Sequence, residues 1–277
     1  MTASRIEKRF AALAADDRAA FVAYIMAGDP GLEASFEILS GLPAAGADII
    51  ELGMPFSDPM AEGPTIQLAS QRSLAAGTKM ADVLGLVRRF READDATPIV
   101  LMGYLNPVLH RGFERFAGEA AQAGVDGMII VDCPPEEADP LSDALEGVGI
   151  SLIRLAAPTT DDARLPAVVR RTSGFVYYVS VAGVTGVKEA DASAVAGPVQ
   201  RLRAASGLPV AVGFGIRTPQ RAAEVARVAD AVVVGSALVD EIAGALAAGS
   251  NENVTERVLS MAAQLSKAVH LARVRNA

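Results

Sequence analysis

Apolar residues in this chain fall into short, nearly unbroken runs, separated by longer stretches in which they recur every three or four positions. The runs occupy residues 21–26, 49–52, 98–102, 126–131, 150–155, 174–180, 208–213 and 230–235. Runs of this length without alternation predict parallel strands covered on both faces. Most recur about every 25 residues with a helical pattern in the gap, for example over 32–44, 65–75 and 79–91. Eight such units predict a closed (β/α)8 TIM barrel, with 1–277 as one domain. Before the first run, Ile6, Phe10 and Leu13 lie at helical spacing behind a Ser4 cap, so an extra helix over 4–15 should precede the barrel. After the last, a pattern over 254–274 carries Val258, Met261, Leu265, Val269 and Leu271 and should close the outer layer.

Barrels of this kind place their chemistry at the C-terminal strand ends. That rule gathers Glu51, a turn at 104–107, Asp132, the loop at 180–188, residues 213–215 and Gly235-Ser236 around one mouth. Glu51 interrupts the second run close to where Gly53 and Pro55 end it. Eleven residues on, in a segment rich in Pro, Gly, Ser and Asp, stands Glu62. An acid on a strand end and another on a loop can take opposite sides of one substrate, as two proton transfers require. The alternative is a structural strand acid paired with a basic side chain, and a solvated loop acid.

Small residues follow the last three strands, at 182–186 (AGVTG), 213–216 (GFGI) and 235–237 (GSA). Each alone reads as a tight turn. The pair after strands seven and eight points to phosphate, which exposed backbone N–H groups and a helix N-terminus attract. Cys133 after strand four and His110 after strand three could form a nucleophile pair, but a lone cysteine is ordinarily a small buried hydrophobe. Two histidines, His110 and His270, offer no histidine-based metal centre. None of Lys8, Lys79, Lys188 and Lys267 lies on an expected strand, which leaves a Schiff-base mechanism without its lysine. A carbon–carbon cleavage here needs carboxylates to move protons and a substrate with its own electron sink.

Composition narrows the setting. The chain is 51% hydrophobic and 21% charged, enough for a large core, and no apolar run approaches the roughly 20 residues of a membrane span. One cysteine excludes an internal disulfide, and with an N-terminus lacking a hydrophobic signal core it implies a cytoplasmic protein. A net charge of −8 argues against a nucleic-acid partner.

The stretch 51–67, ELGMPFSDPMAEGPTIQ, resembles the signature of the tryptophan synthase α subunit. The likeness extends through FVAYIMAGDP at 21–30, Asn106-Pro107, AGVTG at 182–186, GFGI at 213–216 and Gly235-Ser236. It implies cleavage of indole-3-glycerol phosphate to indole and glyceraldehyde 3-phosphate, the protonated indole serving as electron sink. Carried over by residue, Glu51 matches the general acid/base and Glu62 the acid that pairs with the indole N–H. Tyr177 matches a tyrosine near the active site, Phe214, Gly215, Gly186, Gly235 and Ser236 match the substrate and phosphate cradle, and Tyr104, from the turn at the mouth, is expected to join Tyr177 and Phe214 in binding substrate. The family has aspartate where this chain has Glu62, a difference of one methylene. Met26 and Val181 also depart from the family and take no role.

The resemblance further implies a pyridoxal-phosphate β subunit as partner in an α2β2 heterotetramer, with no cofactor on this chain. The loop 55–62 and Asn106-Pro107 would face that partner, and the loop 180–188 would close over the site. Two other readings use the same residues: a catalytically weak α-like protein that activates the β subunit, and a free-standing lyase that releases indole.

Overall fold

The computed structural model describes residues 3–180, 192–213, 215–249 and 253–274. Its strands are β1 (Ala20–Met26), β2 (Ile49–Gly53), β3 (Ile99–Gly103), β4 (Gly127–Ile130), β5 (Ser151–Leu152), β6 (Arg154–Ala156), β7 (Val176–Val179), β8 (Val210–Gly213) and β9 (Ala231–Val234). All pair in parallel in the order β5-β4-β3-β2-β1-β9-β8-β7-β6. The two ends of that order are successive pieces of one stretch, so the sheet curls into a barrel that is broken beside Ile153.

The eight expected runs thus become nine strands because the fifth divides at Ile153. Its amide still donates to the carbonyl of Met128 at 2.9 Å, so the wall stays hydrogen-bonded across the break. Two helices are shorter than their patterns suggest. The helix Leu32–Gly41 stops before Pro43, which has no N–H to continue it, and the last helix, Val254–His270, ends before Leu271.

Strand residues sort by parity into two buried clusters. Phe21, Ala23, Ile25, Ile50, Leu52, Leu101, Val212 and Val232 face outward and pack with the helices. Val22, Tyr24, Met26, Ile49, Val100, Ile129, Phe175, Tyr177, Ala211 and Val233 fill the barrel. The N-terminal helix Arg5–Ala15 belongs to this inner cluster through Ile6, Phe10 and Leu13, and Phe10 packs against Phe175 with ring centroids 5.7 Å apart. The helix plugs the N-terminal end of the barrel. Ser4 caps it in a reciprocal pair with Glu7, which satisfies two of its orphaned N–H groups.

Behind β1 the chain is pinned to the helix that follows the Glu62 loop. Asp29, 1% exposed, receives two hydrogen bonds from Arg72 on the helix Pro64–Ala75, at 2.8 and 2.7 Å. A bidentate Arg–carboxylate pair fixes orientation as well as distance. Gly28 beside it has φ of +75°, and a Cβ there would lie 2.1 Å from Thr78 Oγ1. Only glycine serves at that turn. Among the described residues no helix is long and apolar enough to cross a membrane.

Candidate active site

On β2, Ile50 and Leu52 face the helices and Ile49 faces the barrel, so alternation turns Glu51 inward. It is 1% exposed, and its Oε2 has no hydrogen-bond partner among the described residues. Among the described residues no cation pairs with Glu51, which speaks against the structural alternative of a strand acid matched to a basic side chain. Desolvation pushes its carboxyl up to about 8, and the negative charge of Glu62 adds to the rise. Burial also raises Glu62, to about 7. Burial thus favours the protonated form of both acids, and a charge on Glu62 strengthens the hold of Glu51 on its proton.

Glu62 is 9% exposed and so is no solvated loop acid. Its loop is tied down at several points. The Phe56 amide donates to Ser70 Oγ, which donates back to the Phe56 carbonyl, at 2.8 and 2.7 Å. The Ala61 amide donates to the Tyr104 hydroxyl at 3.0 Å, Gln67 Nε2 donates to the Glu62 carbonyl at 2.9 Å, and Phe56 stacks on Tyr104 at 5.3 Å. Beyond it, Thr65 donates to Asp240 at 3.1 Å, and Asp240 also pairs with Arg217.

The expected turn at 104–107 is instead the start of a helix, Leu105–Arg111, with Tyr104 as its N-cap residue. Pro107 is tolerated because the first-turn amides have no helical partner to lose. Asp132, at the end of the neighbouring strand, accepts from the Leu105 amide at 2.7 Å and satisfies one of those amides.

Three of the four tyrosines surround the acids. The charges of Glu62 and Glu51 reach Tyr24 and Tyr177, which burial first pushes well above the ordinary tyrosine value. Tyr104 is pushed up to about 12, by burial and then by Glu62. Glycines at the strand ends make room for these rings. A Cβ on Gly53 would lie 2.3 Å from the Tyr24 hydroxyl, and one on Gly213 would lie 2.1 Å from that of Tyr177. Sequence reasoning named Tyr177 and Tyr104 but passed over Tyr24. Its signal was parity: Tyr24 shares the inward face of β1 with Val22 and Met26.

At the end of β9, on the other side of β1 from Glu51, Gly235 is the N-cap residue of the helix Ser236–Ala247, and Ser236 opens the helix. Gly235 has a packing role too, since a Cβ there would come within 3.1 Å of the Tyr24 ring. Gly215 has φ of +77° with open space around a hypothetical Cβ. Phe214, Gly186 and the loop 181–191 lie outside the described residues.

The other candidates disperse. Cys133 is buried with Pro134 and Arg154 as its contacts, while His110 sits exposed on the helix Leu105–Arg111. Lys8 and Lys267 are on helices, Lys79 is an N-cap residue, and Lys188 lies outside the described residues. Among the described residues no group of three or more His, Cys, Asp or Glu is placed to hold a metal ion.

Comparison with known proteins fits this geometry. The family model of the tryptophan synthase alpha chain matches residues 10–270. The chain is 72% identical over 274 residues to the tryptophan synthase alpha chain of Caulobacter vibrioides, covering 99% of each. It is 70% identical over 273 residues to that of Phenylobacterium zucineum, covering 99% of this chain and 98% of the other. The crystal structure of tryptophan synthase subunit alpha from Legionella pneumophila superposes with a TM-score of 0.89 at 41% identity, covering 97% of this chain and 99% of that one. With a matching sequence over nearly its whole length and a matching barrel, the chain belongs to the tryptophan synthase alpha chain family.

Proposed function

We propose that Glu51 and Glu62 carry the proton transfers of this family's lyase reaction, the retro-aldol cleavage of indole-3-glycerol phosphate to indole and glyceraldehyde 3-phosphate. The observation that carries the assignment is the pair itself. One buried carboxyl titrates at about 8 and its neighbour at about 7, so near neutral pH Glu51 holds a proton while Glu62 is poised to lose one. Glu51 gives its proton to C3 of the indole ring and, as a carboxylate, takes one from the side-chain hydroxyl as the carbon–carbon bond breaks. Ionised Glu62 accepts the indole N–H and steadies the positive charge that C3 protonation creates.

In this reading Tyr104 and Tyr177 bound the indole. Gly215, Gly235 and Ser236 cradle the phosphate end, and by the resemblance Gly186 joins the phosphate cradle and Phe214 the substrate site. The N-terminus of the helix Ser236–Ala247, which has no side-chain cap, supports the anion assignment, because the first-turn amides and dipole of a helix favour negative charge.

The family's β subunit is the partner, in an α2β2 heterotetramer in the cytoplasm, with pyridoxal phosphate on the partner and no cofactor here. Met60, 79% exposed beside Glu62, and Leu109, 57% exposed on the helix after Tyr104, supply the apolar contacts such docking needs.

The test is cleavage of indole-3-glycerol phosphate by the purified chain, alone and with a β subunit, beside Glu51→Gln. Turnover should rise with the partner and fall at least about a hundredfold in the variant, as loss of a general acid/base requires. No turnover from folded wild-type protein in either condition would overturn the assignment and leave the chain as a binding partner.

A further inference from the structure

Tyr24 is buried in the barrel and lies on β1 directly in register with Glu51 on β2. Its ring and hydroxyl occupy a slot with two glycine walls. A Cβ on Gly53 would sit 2.3 Å from the hydroxyl, and a Cβ on Gly235 would sit 3.1 Å from ring Cδ1. Gly53 is two residues beyond Glu51 on the same strand, so by alternation it shares the inward face with the acid, and the Tyr24 hydroxyl lies against Gly53 on that face. Both glycines leave space for a six-membered ring, but only Gly53 is needed for the oxygen. A phenylalanine would fill the rest.

The Tyr24 hydroxyl carries one proton that it can donate. On the adjacent strand Glu51 Oε2 is a buried acceptor without a donor. In its resting, protonated form Glu51 tolerates that deficit. It does not tolerate it as a carboxylate, the state it enters on giving up its proton. Ionised carboxylates are stabilised by hydrogen-bond donors, and a neutral tyrosine is one. Tyr24 stays neutral throughout, because burial and the charges of Glu62 and Glu51 hold its proton firmly.

We propose that Tyr24 is a positioning residue for the acid pair, its hydroxyl donating to Glu51 when Glu51 becomes a carboxylate during turnover. The assignment rests on the reading of Glu51 as proton donor. It concerns the oxygen of Tyr24 rather than the ring, so it separates from packing.

Tyr24→Phe keeps the ring and removes the donor. Steady-state cleavage would be measured from pH 6 to 9.5 for wild type, Tyr24→Phe and Glu51→Gln, each with circular dichroism as a check of fold. Tyr24→Phe should lower kcat by about five- to twentyfold and change KM by less than about twofold, since the hydrogen bond forms after substrate binds. The alkaline limb of kcat, which reports the substrate complex, should move up by about half to one pH unit, because a carboxylate deprived of a donor ionises less readily. A packing role alone would not move that limb.

If Tyr24→Phe matches wild type in kcat and limb while Glu51→Gln is inactive, the Tyr24 proposal falls and the reading of Glu51 stands. If Glu51→Gln turns over normally, that reading falls and the proposal with it. Gly53→Ala, which displaces the hydroxyl without removing it, should shift the limb in the same direction. An unmoved limb in both variants overturns the proposal.

Discussion

Glu51 carries a stability cost that a single substitution should expose. Its carboxyl titrates at about 8 in the folded protein, against an ordinary 4.5, mainly through burial. The folded chain therefore keeps a proton that the unfolded chain has released. Stability from this group is intact below pH 4.5 and is lost as pH rises toward 8. Between pH 5 and pH 9 the loss is on the order of 4 kcal/mol, at about 1.4 kcal/mol for each tenfold change in proton affinity. Glu51→Gln is nearly isosteric and cannot ionise, so it escapes the loss. Urea unfolding of both proteins at pH 5 and pH 9 checks this. The variant should gain several kcal/mol relative to wild type between the two conditions, while losing activity at both. That pairing is the trade of stability for function that a buried acid implies. A relative gain below about 1 kcal/mol would refute the reasoning, and would mean that the folded protein solvates the Glu51 carboxylate.

Two further substitutions probe the surroundings. Glu62→Asp draws the carboxyl back by about 1 Å from a loop held by Tyr104, Ser70 and Gln67, and should lower kcat/KM about tenfold to a hundredfold; a large gain in cleavage rate would instead favour a catalytically weak chain whose main role is to activate its partner. Gly53→Ala places a methyl group 2.3 Å from the Tyr24 hydroxyl and should destabilise the chain by about 1 to 3 kcal/mol in chemical denaturation, and unchanged stability would show that the ring moves aside without strain.

Periodicity was enough to place the strands, the plugging helix and the barrel, because each depends on contacts repeated every two or four residues within a single element. The position of Glu51 was legible for the same reason: an acid inside an apolar run near a strand end has few places to point. What parity along one strand cannot provide is the offset between strands. Only the parallel register of β1 and β2 puts Tyr24 beside Glu51. Only the barrel's closure brings Gly235 from β9's end against a ring on β1. The burial of Glu62 was hidden in a Pro- and Gly-rich loop whose composition reads as solvent-exposed. The bonds that fold that loop inward come from Ser70 and Gln67 on the next helix, and from Tyr104 after β3. The split of the fifth strand and the helix begun at Tyr104 likewise depended on neighbours. The sequence by itself determined the architecture and the place of the one acid within the second strand. The tertiary structure alone decided how that acid is desolvated, which tyrosine lies in register with it and why glycines line the mouth, since these depend on distances between segments far apart in the chain.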